Sequence, residues 1–298
     1  MSKTTQSPAM LITGATGNVG SALAAQLSSL NIPFRAMVRS RKRAQHVAAL
    51  KTAQLVEGDF TDKASLKQAL QGIEKAFLLT ASSAQAESQQ STFVRVADEL
   101  NTPHIIKLSQ WAADIHSPVR FLRYHGAIEQ KIKASGMAYT FLRPNLFMQG
   151  LLGFKESIVR DDTFFATIDD SPISIVDVRD IAAVAAAVLT QSHHEGKTYS
   201  ITGPEALTHQ QMAAKLSSAL RRPIRFESVP EDVMRNTLMK VGFPAWQAYG
   251  LIEDYAHYAR GEAAEVTTDT KNLIGRLPFT FDEFAKDYAA AFTLHGHE

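Results

Sequence analysis

An α/β fold is predicted for this 298-residue chain, with a doubly wound parallel sheet and a smaller helix-rich lobe. Three observations predict it. Short apolar runs alternate with segments of helical period over residues 9–143. Glycines at 14, 17 and 20 separate the first run from the first helical segment. Beyond Thr208 the apolar spacing becomes mostly helical.

The elements follow in order. Residues 9–13 read as a buried strand, and Val19, Leu23, Leu27 and Leu30 then recur at helical spacing. Residues 34–39 are a second strand and 41–50 a second helix. A third strand, 54–57, ends at Gly58-Asp59-Phe60, and Thr61 or Asp62 caps the third helix. Residues 75–80, 104–109 and 138–143 are further strands, separated by helices at 87–100 and 121–135. Strands alternating with helices at this spacing require a parallel sheet covered on both faces.

Past Pro144 the alternation loosens. Residues 145–154 read as helix, 172–178 as strand, 178–190 as a helix capped by Asp180, and 197–202 as strand. Helices at 210–220, 230–241, 246–260 and 281–294 follow, with one strand at 224–229. The expected division is a first domain at 1–150, to which 172–202 returns, and a smaller lobe at 151–171 and 203–298. In such folds ligands bind at the C-terminal ends of the strands.

Composition bounds the function. With 31 basic and 30 acidic residues the net charge is +1, which offers no general grip on nucleic acid or membrane. The absence of cysteine excludes disulfides, thiolate metal sites and cysteine nucleophiles. Residues 1–8 are polar, unlike a secretory leader, and no apolar run approaches the roughly 20 residues of a membrane-spanning helix. The expectation is a soluble, cytoplasmic protein. His193-His194-Glu195 reads as a surface loop, and no nucleophile-elbow motif supports hydrolysis.

The glycine segment carries the chemistry. In Gly14-Ala-Thr16-Gly17-Asn18-Val19-Gly20 the first glycine allows a tight turn after the strand. The second lets backbone approach a pyrophosphate, and the third lets helix pack on strand. The free N–H groups and positive dipole end of the helix then receive the anion. A site for NAD usually shows a carboxylate at the end of the second strand, for the ribose 2′-hydroxyl. Here residues 34–43 hold no acid but Arg35, Arg39, Arg41, Lys42 and Arg43. Arg39 ends the strand and suits a 2′-phosphate, so the cofactor indicated is NADP(H). Asp59 has two readings, an acceptor for the adenine amino group or a turn residue.

These segments, with Tyr139-Thr-Phe-Leu-Arg-Pro144-Asn145 and Val176-Asp-Val-Arg-Asp180-Ile-Ala182, resemble the NmrA-like branch of the atypical short-chain dehydrogenases. Within that branch the chain is most similar to NADPH-dependent quinone reductases and triphenylmethane-dye reductases. The resemblance implies a Rossmann-like fold in which residues 14–20 hold the pyrophosphate and Arg39 the 2′-phosphate. It implies Asp59 and Phe60 beside adenine, Thr80, Ala81 and Ser82 at the inner ribose, and Pro144 and Asn145 near the nicotinamide. The branch also contains transcriptional regulators that bind the dinucleotide without catalysis.

The catalytic positions depart from the wider superfamily. An ordinary short-chain dehydrogenase uses a Tyr with a Lys four residues on. Here Tyr124 is followed by Ile128 at that spacing, while Ser109 keeps the place of the site serine. His125 and Glu129 are one helical turn apart. His125, its ring oriented by Glu129, either donates a proton or hydrogen-bonds a substrate oxygen, or else is a structural histidine paired with a nearby carboxylate. Hydride transfer gives a delocalised phenolate from a quinone and a neutral product from a cationic dye, so no strong acid is needed and positioning can supply much of the rate. Such acceptors suit an apolar, aromatic cleft, for which Trp111, Phe147, Met148, Phe154, Trp246 and Tyr249 are candidates, as they equally are for core. The expected partner is a small aromatic substrate, with a homodimer possible and no direct nucleic-acid contact.

Overall fold

The computed structural model describes residues 8–293. The expectations for residues 1–7 and for Leu294 lie outside them. In chain order the first half comprises β1 (Met10–Ile12), α1 (Asn18–Ser29), β2 (Phe34–Val38), α2 (Gln45–Ala48), β3 (Ala53–Glu57), α3 (Lys63–Leu70), β4 (Lys75–Leu78), α4 (Ala86–Glu99), β5 (His104–Leu108), α5 (Arg120–Ala134) and β6 (Ala138–Pro144). The second half comprises α6 (Lys155–Asp161), β7 (Thr163–Ala166), α7 (Val178–Thr190), β8 (Lys197–Ile201), α8 (His209–Leu220), β9 (Arg225–Ser228), α9 (Glu231–Lys240), α10 (Ala245–Ala259), α11 (Asp269–Ile274) and α12 (Phe281–Asp287).

Seven strands form one sheet in the order β3-β2-β1-β4-β5-β6-β8. The first six pair in parallel. On β8, Gly196 N donates to Tyr139 O and Asn145 N to Ile201 O, so the two chains run the same way. The order reverses between β1 and β4, the switch point at which doubly wound sheets open a crevice.

Two compact units result. The first takes the chain up to His116, with Leu122–Arg143 and Ile181–Tyr199; the second takes Ser117–Phe121, Pro144–Asp180 and the chain from Ser200 onward. The core of the first unit joins Leu11, Leu78, Ile105 and Phe141 of the sheet to Leu66, Leu70, Phe93, Ile128 and Ile132 of the helices, all at most 1% exposed. In the second unit Met234, Leu238, Ala248 and Ile252 pack together with Phe154 and Phe165 at their edge.

The structure corrects several elements. The expected helix at 41–50 is a 3-10 turn, Arg41–Ala44, followed by one α-helical turn. Its basic start opposes a helix dipole, and Arg41 instead donates from Nη2 to the Leu55 carbonyl at 3.0 Å. Residues 148–154 are 3-10 helix. The expected strand at 172–178 reduces to two isolated bridges, Phe147 to Val176 and Ile173 to Leu207. Conversely β7, which lies within residues expected only as lobe, pairs in parallel with β9.

The cap of α7 is Asp177, not Asp180. Asp177 Oδ1 accepts from Arg179 N at 2.8 Å, because the residue before a helix reaches the second free amide. Asp180, inside the first turn, instead accepts from Phe279 N at 2.7 Å and pairs with Arg276 at 2.8 Å. At α3 Asp62 is the cap, accepting from Ala64 N at 2.9 Å.

Candidate functional site

In the first unit the turn between β1 and α1 is shaped by its glycines. Gly14 has φ +64°, and a Cβ there would sit 2.8 Å from Leu79 Cγ. A Cβ on Gly20 would lie 2.1 Å from Gly14 O, so the helix start rests directly on the turn. At Gly17 the nearest atom is 3.5 Å away, and Thr16, Gly17 and Asn18 are exposed. Gly17 is the N-cap of α1 and has no side-chain cap, and the first turn holds no acid. Val19 and Gly20 are buried and hold the helix to the sheet. The result is an open row of backbone N–H groups at a helix start, able to receive a pyrophosphate. Buried Thr13 fixes the crevice wall: its hydroxyl lies 3.0 Å from Phe77 O, and Leu79 N donates to it at 2.8 Å.

The basic residues around β2 divide by what they touch. Arg35 donates from Nη1 to the Ala69 and Gln71 carbonyls at 2.7 and 2.9 Å, and Arg41 is committed to Leu55. Arg39 is exposed and has no hydrogen-bond or ion-pair partner among the described residues. Asp59 is tied into the turn that follows β3. One oxygen accepts from Thr61 N and Oγ1 at 2.8 and 2.6 Å, which, with a smaller contribution from Arg39, holds the carboxyl below its ordinary range. Its other oxygen has no partner among the described residues. Phe60 packs on Phe93 with ring centres 5.8 Å apart. Thr80, Ala81 and Ser82 follow β4; Ser82 Oγ lies 3.2 Å from Tyr124 OH, and Thr80 Oγ1 accepts from Gln90 Nε2 at 2.7 Å.

Between β5 and helices α4 and α5 lies a buried polar cluster. Lys107 is 0% exposed, and its Nζ donates to Gln90 Oε1 at 2.7 Å, to the Leu108 carbonyl at 3.1 Å and to His125 Nδ1 at 2.9 Å. Burial pushes the Lys107 ammonium down to about 7, against a smaller opposing pull from Glu129. Burial, then the positive charges of Lys107 and Arg143, drives His125 well below its ordinary value. The expected pairing of His125 with Glu129 is therefore corrected. Glu129 accepts from Ser109 Oγ at 2.6 Å and from Arg143 Nε and Nη2 at 2.9 and 2.5 Å. The bidentate guanidinium claims both carboxylate oxygens, and the imidazole turns to the lysine. Ser109 spends its proton on Glu129, so it faces any ligand as an acceptor.

Lys107, Gln90 and Arg143 were not among the expected site residues. One signal existed: a lysine inside the apolar run His104-Ile-Ile-Lys107-Leu-Ser109 of a sheet covered on both faces must be buried and partnered. Its partners on α4 and α5 leave no mark in the local sequence.

The remaining expected residues behave differently. Trp111, in the first unit, is 9% exposed. In the second unit Asn145 spends both amide hydrogens, on Ser174 Oγ at 2.8 Å and Ala263 O at 2.9 Å, while its oxygen accepts from Leu146 N. Both of its amide hydrogens are therefore committed within the protein. Pro144 closes β6. Phe147 is half-buried and bridges to Val176, but Met148 is 1% exposed, with its Cε 3.5 Å from where a Gly203 Cβ would be. Met148 is core, not an open cleft wall. Trp246 packs on Phe121 at 5.2 Å, and the Arg120 guanidinium lies 5.7 Å from its ring centre. Tyr249, 44% exposed, lies 5.6 and 5.4 Å from the Arg120 and Arg235 guanidinium groups. Among the described residues no group of three or more His, Cys, Asp or Glu is placed to hold a metal, and no helix is long and apolar enough to cross a membrane.

The chain is similar to known proteins over nearly its whole length. The model of the NmrA-like family matches residues 6–285. The chain is 33% identical over 283 residues to the NAD(P)H azoreductase of Xenophilus azovorans, covering 95% of this chain and 99% of that protein. It is likewise 33% identical over 285 residues to a (4-alkanoyl-5-oxo-2,5-dihydrofuran-3-yl)methyl phosphate reductase of Streptomyces griseus, covering 95% and 99%. Among solved structures, the NADPH-dependent quinone oxidoreductase of Escherichia coli complexed with NADPH superimposes with a TM-score of 0.85 at 28% identity, covering 93% of this chain and 99% of that one.

Proposed function

This chain belongs to the NmrA-like family, and on that premise we propose that it is an NADPH-dependent reductase delivering hydride to electron-poor, conjugated acceptors of the quinone or dye type. The observation that carries the cofactor half is Arg39. Of the two arginines that flank it around β2, Arg35 and Arg41, each is tied to backbone carbonyls, whereas Arg39 stands free and exposed. With the uncapped, acid-free start of α1, that is the pattern a dinucleotide bearing a 2′-phosphate requires. The fit is steric as well: the space beside Gly17 would be taken by any side chain.

In this reading residues 14–20 bind the pyrophosphate through backbone amides and Arg39 forks onto the 2′-phosphate. The open oxygen of Asp59 takes the adenine amino group, with Phe60 beside the base. Thr80, Ala81 and Ser82 border the inner ribose, and Ser109 accepts from it or from the acceptor. When bound, the reduced nicotinamide supplies the hydride. The acceptor class is supported by what the relatives are named for reducing. An azo bond, a quinone and a doubly acylated ring alkene are all conjugated electrophiles. Tyr124 supports it too, since Ile128, fully buried, stands where a lysine would lower the tyrosine's pKa. Acceptors whose reduced form is stabilised by delocalisation make fewer demands on such an acid.

The test follows NADPH oxidation with a panel of quinones, an azo dye and a triphenylmethane dye, with dinucleotide binding measured in parallel. Turnover well above the uncatalysed rate is expected for at least one of them. Tight NADP(H) binding with no turnover on any acceptor would overturn the reductase reading and favour a dinucleotide-sensing regulator.

A further inference from the structure

The Lys107–His125 pair has no role in the binding scheme above, yet its hydrogens can be assigned completely. An ammonium has three N–H bonds and no lone pair. Lys107 Nζ meets three acceptors, Gln90 Oε1, the Leu108 carbonyl and His125 Nδ1, so all three N–H bonds are used and Nδ1 accepts. The ring hydrogen is then on Nε2. Remove one proton, and the amine keeps two N–H bonds, which the two oxygens claim because neither can donate. The freed Nζ lone pair now faces Nδ1, which must carry the hydrogen. The ammonium, a donor only, holds Gln90 with Oε1 toward Nζ, and Gln90 Nε2 then donates to Thr80 Oγ1 at 2.7 Å. In both protonation states Lys107 Nζ and His125 Nδ1 thus keep every hydrogen bond between them and to the two oxygens without moving a heavy atom. They differ by one proton, lost or gained at His125 Nε2. That nitrogen has no partner among the described residues, and His125 keeps 8% exposure.

The geometry points to a proton relay in which Lys107 stands as the reservoir behind His125, and His125 Nε2 delivers the proton to the acceptor atom that hydride leaves anionic. The inference rests on the reductase reading. For an azo acceptor, hydride forms a bond to one nitrogen and the N=N π pair moves to the other. As N–H forms on that second nitrogen, Nε2–H breaks, and Nζ–H breaks as Nδ1–H forms. The two electrons arrive with the hydride from the reduced dinucleotide, the acceptor is reduced to the hydrazine, and Lys107 is left as a neutral amine. A solvent proton arriving at Nε2 reverses the shift. Lys107 acts through the imidazole and is a positioning residue; His125 is the group that meets the acceptor.

The surroundings suit this. Facing the pair are Gln90 from α4, Ser109 just after β5, Tyr124 and Glu129 from α5, and Arg143 from β6. Glu129 is neutralised by Arg143, and Tyr124 lies against the imidazole with ring centres 4.1 Å apart. With Lys107 near 7, both of its states are available at neutral pH, while burial and the neighbouring positive charges hold His125 well below its ordinary range. Delivery needs the ammonium form, so proton-demanding turnover falls as pH rises through about 7.

Two measurements test the relay. In the cofactor-free protein, ¹⁵N NMR of His125 from about pH 5 to about pH 9 should show the Nε2–H tautomer at low pH and the Nδ1–H tautomer at high pH, with no imidazolium. The switch should be absent in Lys107→Met. A single tautomer throughout, or an imidazolium, overturns the proposal. The second compares an azo dye, which needs a proton with its hydride, with a cationic triarylmethane dye, which needs none. Lys107→Met should lower the azo-to-triarylmethane activity ratio by about 100-fold. His125→Asn, whose amide oxygen still accepts from Lys107 and so guards against misfolding, should do the same. An unchanged ratio in a folded variant overturns the relay, whereas wild-type protein inactive on both dyes with the tautomer switch intact overturns the reductase reading instead.

Discussion

Replacing Arg39 by alanine separates the cofactor assignment from the stability of the fold. The guanidinium is exposed and makes no hydrogen bond or ion pair with a described residue, so the folded chain should lose less than about 0.5 kcal/mol. Its loss from a bound 2′-phosphate is a different matter. A hydrogen bond to a charged group is worth about 1.5–3 kcal/mol. At an exposed position the lower half applies, about 1.5–2 kcal/mol, or an NADPH dissociation constant raised about 10- to 30-fold. NADH has no 2′-phosphate, and its affinity should change by less than about twofold. Titration calorimetry with both dinucleotides measures the ratio directly, and at higher salt the wild-type advantage for NADPH should shrink. Arg41→Ala is the control, because that guanidinium is spent on the Leu55 carbonyl at 3.0 Å and should leave the ratio in place. An Arg39→Ala protein that keeps the wild-type NADPH-to-NADH preference would refute the argument, whatever its stability.

Two further substitutions probe the turn and the buried carboxylate. Gly20→Ala places a Cβ 2.1 Å from Gly14 O and 2.9 Å from Ala15 Cα, both backbone atoms, so the helix must shift. It should cost about 1–3 kcal/mol in urea unfolding and weaken NADPH binding together. Gly17→Ala, with its nearest atom at 3.5 Å, should keep its stability and lose only dinucleotide affinity; equal stability losses at the two positions would contradict the steric account. Glu129→Gln sets an amide N–H₂ against the Arg143 fork and Ser109. Breaking a buried pair costs about 3–5 kcal/mol, and because Arg143 remains 26% exposed to water the lower end is expected, read as a fall in the urea midpoint at unchanged slope. A loss below about 1 kcal/mol would show that Glu129 contributes little to holding β6 against α5.

Much of the first unit was legible in the sequence because its information is local. The strand-turn-helix at residues 9–30 is written in consecutive residues: an apolar run, three glycines, then a helical period. Steric contact at Gly14 and Gly20 explains why each must be glycine. Arg39 could be singled out by position at a strand end, although only the contacts of Arg35 and Arg41 show that those two guanidinium groups are committed elsewhere. The loss of the expected strand at 172–178 has a different cause. A run of suitable residues becomes a strand only where a neighbour presents a ladder, and here Ile173 and Val176 find single bridges.

The polar cluster shows the limit most clearly. Helical spacing put His125 and Glu129 on one face and implied that they pair, yet Arg143, arriving from β6, takes the carboxylate, and Lys107, arriving from β5, takes the imidazole. Sequence by itself determined the alternation that makes a doubly wound sheet, the anion-receiving turn and the basic end of β2, since each depends on residues close along the chain. Tertiary structure decided which acid meets which base. A buried charge is stabilised by whichever group the packing brings within about 3 Å, and for Lys107 and Glu129 those groups come from strands and helices 14 to 20 residues away in sequence.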